Sequence, residues 1–188
     1  MSPNEKTTLH EIQRTIDCVM PWFDCRKETA NWIPPNNGWS IHEILDHIVL
    51  TSHYLLLLID KGARKSLAAK SKGDVISLPQ EYELIPESLA ESGIFRAFTW
   101  HRPEHMDPRK NSMEGDTKAN FLQQMDQCRA VVQSLEGGWG HFTKTTMTVN
   151  AIGKLDVYQY IIFLCRHAQR HCAQMEENKS TFDKRNAE

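Results

Sequence analysis

Two histidines four residues apart, in the stretch His167-Ala-Gln-Arg-His171, are the side chains best placed to do chemistry. On a helix such residues are neighbours, with Cβ atoms about 5–6 Å apart. That separation lets two imidazole nitrogens converge on one divalent ion at roughly 2.0–2.1 Å each. The spacing alone is common in packed helices. Its setting adds weight, because Tyr160-Ile161-Ile162-Phe163-Leu164-Cys165 precede the pair and Cys172-Ala173-Gln174-Met175 follow it, apolar enough to face a core. Buried imidazoles need partners, and a metal supplies them. His47, on the most apolar helix, is the candidate third ligand. The competing reading makes it a core histidine bonded to a carboxylate, with Glu43 four residues back as the partner. Three histidines with one position open are the pattern of a catalytic rather than a structural metal site.

The remaining candidates are weaker. His10 and His141 fall near helix ends and are expected to be exposed, His42 lies in a first helical turn, and His53 is off the His47 face. His101-Arg-Pro-Glu-His105 has the letters of an HxxEH metallopeptidase motif, but Pro103 interrupts the helix that motif requires. Cys165 and Cys172 are soft ligands in principle, yet they read better as small buried filler. Glu43, Tyr54 and Tyr160 are the candidates for a general base, and none stands out.

Four amphipathic segments would position these residues. The first spans about 7–31, with Leu9, Ile12, Ile16, Val19, Met20 and Phe23 at helical spacing and a kink or break expected at Pro21. The second opens on the capping box Ser40-Ile-His-Glu43 and runs to Gly62. The third covers about 117–135 and stops at Gly137-Gly138. The fourth runs from Asp156, paired with Gln159 as a cap, to about Asn178. Strand signal is slight, so the expected fold class is all-α: one domain over residues 1–188, a four-helix bundle. Residues 63–116 form a long crossover between the second and third helices, with 75–84 extended and a short helix within 86–98.

The chain has 188 residues, 40% hydrophobic and 24% charged, with a net charge near −2. That composition is globular and offers no electrostatic footprint for nucleic acid. The most apolar stretch, residues 44–59, carries Asp46, His47 and His53 and is shorter than the ~20 residues of a membrane span. Five cysteines without a CxxC pair argue against a disulfide framework and for reduced thiols in a cytoplasm.

Three motifs carry a resemblance. Trp39-Ser40-Ile41-His42-Glu43-Ile44-Leu45-Asp46-His47 resembles a Trp-Ser helix start followed by a ligand histidine seven residues after the serine. Gly153-Lys-Leu-Asp-Val-Tyr-Gln-Tyr resembles a lead into a last helix, and His167-Ala-Gln-Arg-His171-Cys-Ala-Gln174 resembles a closing H-x-x-R-H-x-x-Q pattern. Together they are similar to the DinB/YfiT-like superfamily of metal-binding four-helix bundles. The resemblance implies an up-down-down-up bundle holding zinc or nickel on His47, His167 and His171, with water completing the shell. It further implies an enzyme that activates water or a low-molecular-weight thiol, a hydrolase or thiol S-transferase acting on a small molecule, with a homodimer open to it. The alternatives are a non-catalytic metal-binding or stress-response protein of the same fold, and a helical scaffold without metal. Asn150-Ala151 stands where that family often has His-Pro.

Overall fold

Each long helix whose start the sequence marks begins on a reciprocal cap. In α1 (Pro3–Phe23) the Ser2 hydroxyl accepts from the Glu5 amide at 3.3 Å, and the Glu5 carboxylate accepts from the Ser2 amide at 2.8 Å. Pro3 fits the first helical position because its missing N–H would have had no partner there. The helix thus starts a turn before Thr7, on a Ser-x-x-Glu signal equivalent to the one recognised at Ser40. Pro21 lies inside its last turn; α1 ends two residues later, and the expected continuation to Asn31 is a separate short helix, α2 (Lys27–Ala30).

Helix α3 (Ile41–Ser71) starts at the Ser40–Glu43 box as expected, with Ser40 Oγ 3.2 Å from the Glu43 amide. It runs nine residues past Gly62. That glycine is no stop signal: a Cβ there would lie 3.0 Å from Val157 Cγ2, so its role is close approach to the last helix. After α3 comes the short α4 (Glu87–Glu91), inside the span expected to hold a helix, whereas residues 75–84 form no strand. Helix α5 (Glu114–Ser134) follows, then a single 3-10 turn at Trp139–His141.

A hairpin that the sequence reading missed precedes the last helix. Strands β1 (Lys144–Met147) and β2 (Gly153–Asp156) pair antiparallel, Lys144 opposite Asp156 and Met147 opposite Gly153. Helix α6 (Val157–Arg185) leaves directly from β2, its Asp156 cap accepting from the Gln159 amide at 2.9 Å. The computed structural model describes residues 1–35, 38–97, 107–108, 114–147 and 152–187; His101, His105, Asn150 and Ala151 lie outside them. Among the described residues the protein is mostly helical, with six helices and one two-stranded sheet.

One hydrophobic core joins the four long helices. Ile12 and Val19 of α1, Ile44, Ile48 and Ile59 of α3, Phe121 and Met125 of α5, and Ile161 and Leu164 of α6 are all fully or almost fully buried. Each such side chain contributes roughly 1.5–3 kcal/mol by leaving water. Polar bonds fix how the helices sit against one another. Asp46 accepts from the Thr117 hydroxyl at 2.8 Å, and Gln127 donates to Asp60 at 2.7 Å. Gln169 donates to the Thr15 hydroxyl at 3.0 Å, and Arg129 donates to Gln13 at 2.7 Å.

The long connection is tied to the start of α6. Tyr82 donates to Asp156 at 2.8 Å, Gln159 donates to the Glu83 carbonyl at 2.9 Å, and Leu89 is buried. His141 belongs to the same knot. It was expected to be exposed, but it is buried, with Nδ1 2.9 Å from Asp156 and Nε2 3.1 Å from the Asn4 side chain. Beside it the Tyr158 hydroxyl donates to the Leu135 carbonyl at 2.7 Å, and Gly140 lies so close to the Tyr158 ring that any Cβ would collide with it.

Glu5 closes this end of the molecule: it is fully buried and also accepts from the Gly138 amide at 2.8 Å. Burial pushes its carboxyl up, but the Gly138 and Ser2 amides and the Ser2 hydroxyl more than offset this and hold it below the ordinary carboxylate value. A carboxylate depressed in the folded state stabilises above its unfolded pKa, near 4.3, and loses that contribution as pH falls through the folded value. Glu5→Gln is therefore expected to lower urea stability at pH 7 by about 1–3 kcal/mol, with the gap to wild type narrowing below about pH 4. A gap that stays constant across that range would show that the charge of Glu5 contributes nothing.

Candidate metal centre

The first half of α3 and the second half of α6 bring His47, His167 and His171 to one place. All three are at least 96% buried, and the centroids of their rings are 4.7 to 5.1 Å apart, a nearly equilateral triangle. One ring nitrogen from each lies within 4.8 Å of the other two. His167 Nε2 and His171 Nε2 are 3.3 Å apart. Two nitrogens bound tetrahedrally at roughly 2.0–2.1 Å would stand about 3.3–3.4 Å apart, so this pair is already at ligand spacing.

The surroundings hold these rings in place. Trp39, in the segment leading into α3, lies against His47 with ring centroids 4.7 Å apart, and its carbonyl accepts from Asn178 of α6 at 2.8 Å. The Thr51 hydroxyl is 3.5 Å from His47 Nδ1. Gln174 Oε1 lies 2.8 Å from His171 Nδ1 and accepts its proton, leaving the lone pair on Nε2, where the triangle converges. Arg170, also buried, places Nη2 2.8 Å from that same Nε2. Burial pulls its guanidinium down to about 10, so it keeps its charge at neutral pH.

Burial, reinforced by the positive charge that His171, His47 and Arg170 would place nearby, holds His167 well below the usual histidine range. The imidazole is thereby kept neutral, the form that ligates a metal. The donor set, its depth and the His171 tautomer fit a divalent ion of the zinc type.

The other sequence candidates go elsewhere. His10 and His53 are exposed and His42 is partly exposed; none joins the triangle. Glu43 is engaged in the cap of α3, Tyr160 donates to the Thr146 carbonyl at 3.2 Å, and the Tyr54 ring packs on His53. Cys165 is buried, and burial raises its thiol to about 12, which suits inert filler. Cys172 corrects the expectation of reduced thiols. It forms a disulfide with Cys18 of α1, the Cα atoms 6.4 Å apart, while Cys25, Cys128 and Cys165 remain free. Spacing along the chain could not reveal that pair, because 154 positions separate its members and only the packing of α1 on α6 brings them together. Arg170 and Gln174 were also missed as members of the site, although both stand in the H-x-x-R-H-x-x-Q stretch.

A mostly helical body whose second and last long helices carry three converging histidines defines a class, and comparison with known families names it. The chain belongs to the DinB superfamily, whose model it matches over residues 12–175. It is similar to the uncharacterized protein YuaE of Bacillus subtilis (strain 168), 28% identical over 158 residues, or 84% of this chain and 87% of that protein. No solved structure gives a significant match.

Removing Gln174 tests the contact that sets the His171 tautomer. Gln174→Ala is expected to weaken zinc binding by about 10–100-fold without abolishing it, as measured by competition with a chromophoric chelator. Unchanged affinity would mean that Gln174 does not orient the ligand.

Proposed function

We propose that the protein is a metal-dependent enzyme in which His47, His167 and His171 hold one divalent ion, zinc or nickel. The observation that carries this reading is the convergence of three buried imidazoles on one point, with two ligand nitrogens at 3.3 Å. A bound ion of this kind supplies Lewis acidity and draws the pKa of a coordinated water or thiol toward neutrality. Three protein ligands leave a fourth position for that group. The reaction class is hydrolysis or transfer of a low-molecular-weight thiol to a small molecule, in line with membership of the superfamily.

The chain's own part is to hold the site dry and oriented. Trp39 covers His47, Gln174 fixes His171, and burial keeps His167 unprotonated. The bundle that does this is read as a single domain in up-down-down-up order. The cross-bonds support that order: Asp46 pairs with Thr117 and Asp60 with Gln127, as two helices running the same way would, while Gln13 pairs with Arg129 and Asp24 with Lys118, as opposed helices would. Cys25, Cys128 and Cys165 stay free, as in a cytoplasmic protein, whereas the Cys18–Cys172 disulfide argues for an oxidising setting. No helix among the described residues is long and apolar enough to cross a membrane. The net charge near −2 favours neither nucleic acid nor an anionic surface, and a homodimer is compatible with the bundle.

The depth of the three rings favours a second reading, in which the ion is held without turnover by a binding or stress-response protein. Elemental analysis of the untagged protein beside its His47→Ala variant tests both. About one zinc or nickel per chain, lost in the variant, is expected, and it justifies assays of thiol transfer and ester or amide hydrolysis. Wild type that stays metal-free after incubation with zinc would end the metalloenzyme reading; metal without either activity would leave the binding protein.

A further inference from the structure

We propose that the cleft between α3 and α5 is a second ligand site, separate from the histidines, and that it takes a linear polyamine. The cleft encloses about 790 Å³, and none of His47, His167 and His171 lines it. Small-molecule sites span roughly 300–1,000 Å³. Asp46, Asp60 and Asp116 line it, and among the described residues of its walls there is no lysine or arginine. Carboxylates gathered in a cleft draw cations into it, yet they select nothing beyond positive charge. Gln124 supplies the selection. It lines the cleft, is only 9% exposed, and donates through Nε2 to the Val49 carbonyl at 3.0 Å. That bond fixes which way the amide points, and the buried Oε1 has no hydrogen-bond partner among the described residues. A buried acceptor left unmatched costs about 1–3 kcal/mol. A ligand that brings an N–H to Oε1 removes the cost.

The order of the acceptors along the cleft gives the ligand its shape. Asp116 stands near the start of α5, and Gln127, which donates to Asp60, lies about 16 Å further along that helix at 1.5 Å per residue. Gln127 engages Oδ2 of Asp60 at 2.7 Å; a carboxylate accepts at both oxygens, so Oδ1 can still receive a donor. Asp46 is left out of the ligand set, since Thr117 already donates to it. Gln124 falls between the two ends, and so do Leu56 and Leu57, with Leu57 53% exposed. A chain with an ammonium at each end, an N–H inside and methylenes between matches that order. Its ends meet Asp116 and Asp60, its internal nitrogen donates to Gln124 Oε1, and its methylenes cover Leu57. Aliphatic amines ionise near the lysine value of about 10.4, so the chain is cationic at neutral pH. Spermine has this pattern and, when extended, a comparable length.

Binding is measured by isothermal titration calorimetry on the full chain at low salt, where partly exposed carboxylates are least screened. The probes are spermine and the α,ω-diaminododecane of equal chain length, which lacks internal nitrogens. Spermine is expected to bind saturably and more tightly than the diamine. Asp60→Asn keeps an acceptor for Gln127 and removes the charge; it is expected to weaken both probes about five-fold, the upper end for a partly exposed ion pair. Gln124→Met keeps the side-chain length and removes the acceptor. It is expected to cut the advantage of spermine over the diamine about ten-fold, the effect of one hydrogen bond to a charged group. A merely structural role for Gln124 would weaken both probes alike and leave that ratio unchanged, which overturns the proposal. No saturable spermine binding overturns it too, as does wild-type affinity in Asp60→Asn, since spermine would then be held by general attraction to an acidic surface. If Gln124→Met fails to fold, Asp116→Asn takes its place at an exposed position; both probes must weaken about five-fold there, and unchanged affinity overturns the proposal.

Discussion

Keeping three imidazoles out of water is the constraint on which the arrangement of this protein depends. Each ring has two nitrogens that lose hydration on burial, and an unmatched one costs on the order of 1–3 kcal/mol. The contacts around the triangle answer that cost: Gln174 and Arg170 on His171, Thr51 on His47, and the Trp39 ring across the His47 face. These partners come from α6, from α3 and from the segment ahead of α3. The packing of those two helices is therefore specified by polar geometry as well as by apolar area. A slide of one helix past the other by a single turn would separate the rings and strand their nitrogens in the core.

A second polar cluster fixes the other end of α6. Asp156 caps the helix and receives Tyr82 and His141, while Tyr158 reaches the Leu135 carbonyl. Glu5 binds the Gly138 amide and closes the same knot from α1. Between the two clusters α6 is almost continuously apolar, from Tyr160 to Cys165, with the Tyr160 hydroxyl on the Thr146 carbonyl as a polar tie of that stretch. With both ends pinned, the histidine pair stays at a fixed height opposite His47. The long connection and the hairpin matter to the site through this anchoring, although neither touches the histidines by any bond described above.

The disulfide between Cys18 and Cys172 adds a covalent link between α1 and α6, one residue beyond His171. Closing a loop of that length restricts the unfolded chain far more than the folded one. It lies on the α1 side of α6, whereas His47 approaches from α3, so α6 is held from two directions near His167 and His171.

Much of the site was legible in the sequence because its signals are local. A four-residue histidine spacing, a Ser-x-x-Glu cap and a 3.6-residue apolar period are properties of single helices, and His47, His167 and His171 all lie on helices of that kind. The starts of α3 and α6 followed from the same rule, and the Ser2–Glu5 cap could have been found by it. Other features had no local signature. Gly62 reads as a helix end but is a contact residue for Val157; His141 reads as exposed but is buried against Asp156. The Cys18–Cys172 pair, the Glu5 knot and the position of Arg170 on the His171 lone pair depend on residues that are distant in the chain or on side-chain directions that spacing does not fix. The sequence by itself determined where the four long helices lie and that His47, His167 and His171 face inward, since burial along a helix follows its period. Only the tertiary structure decided which buried polar atoms meet, because that depends on how separate helices dock.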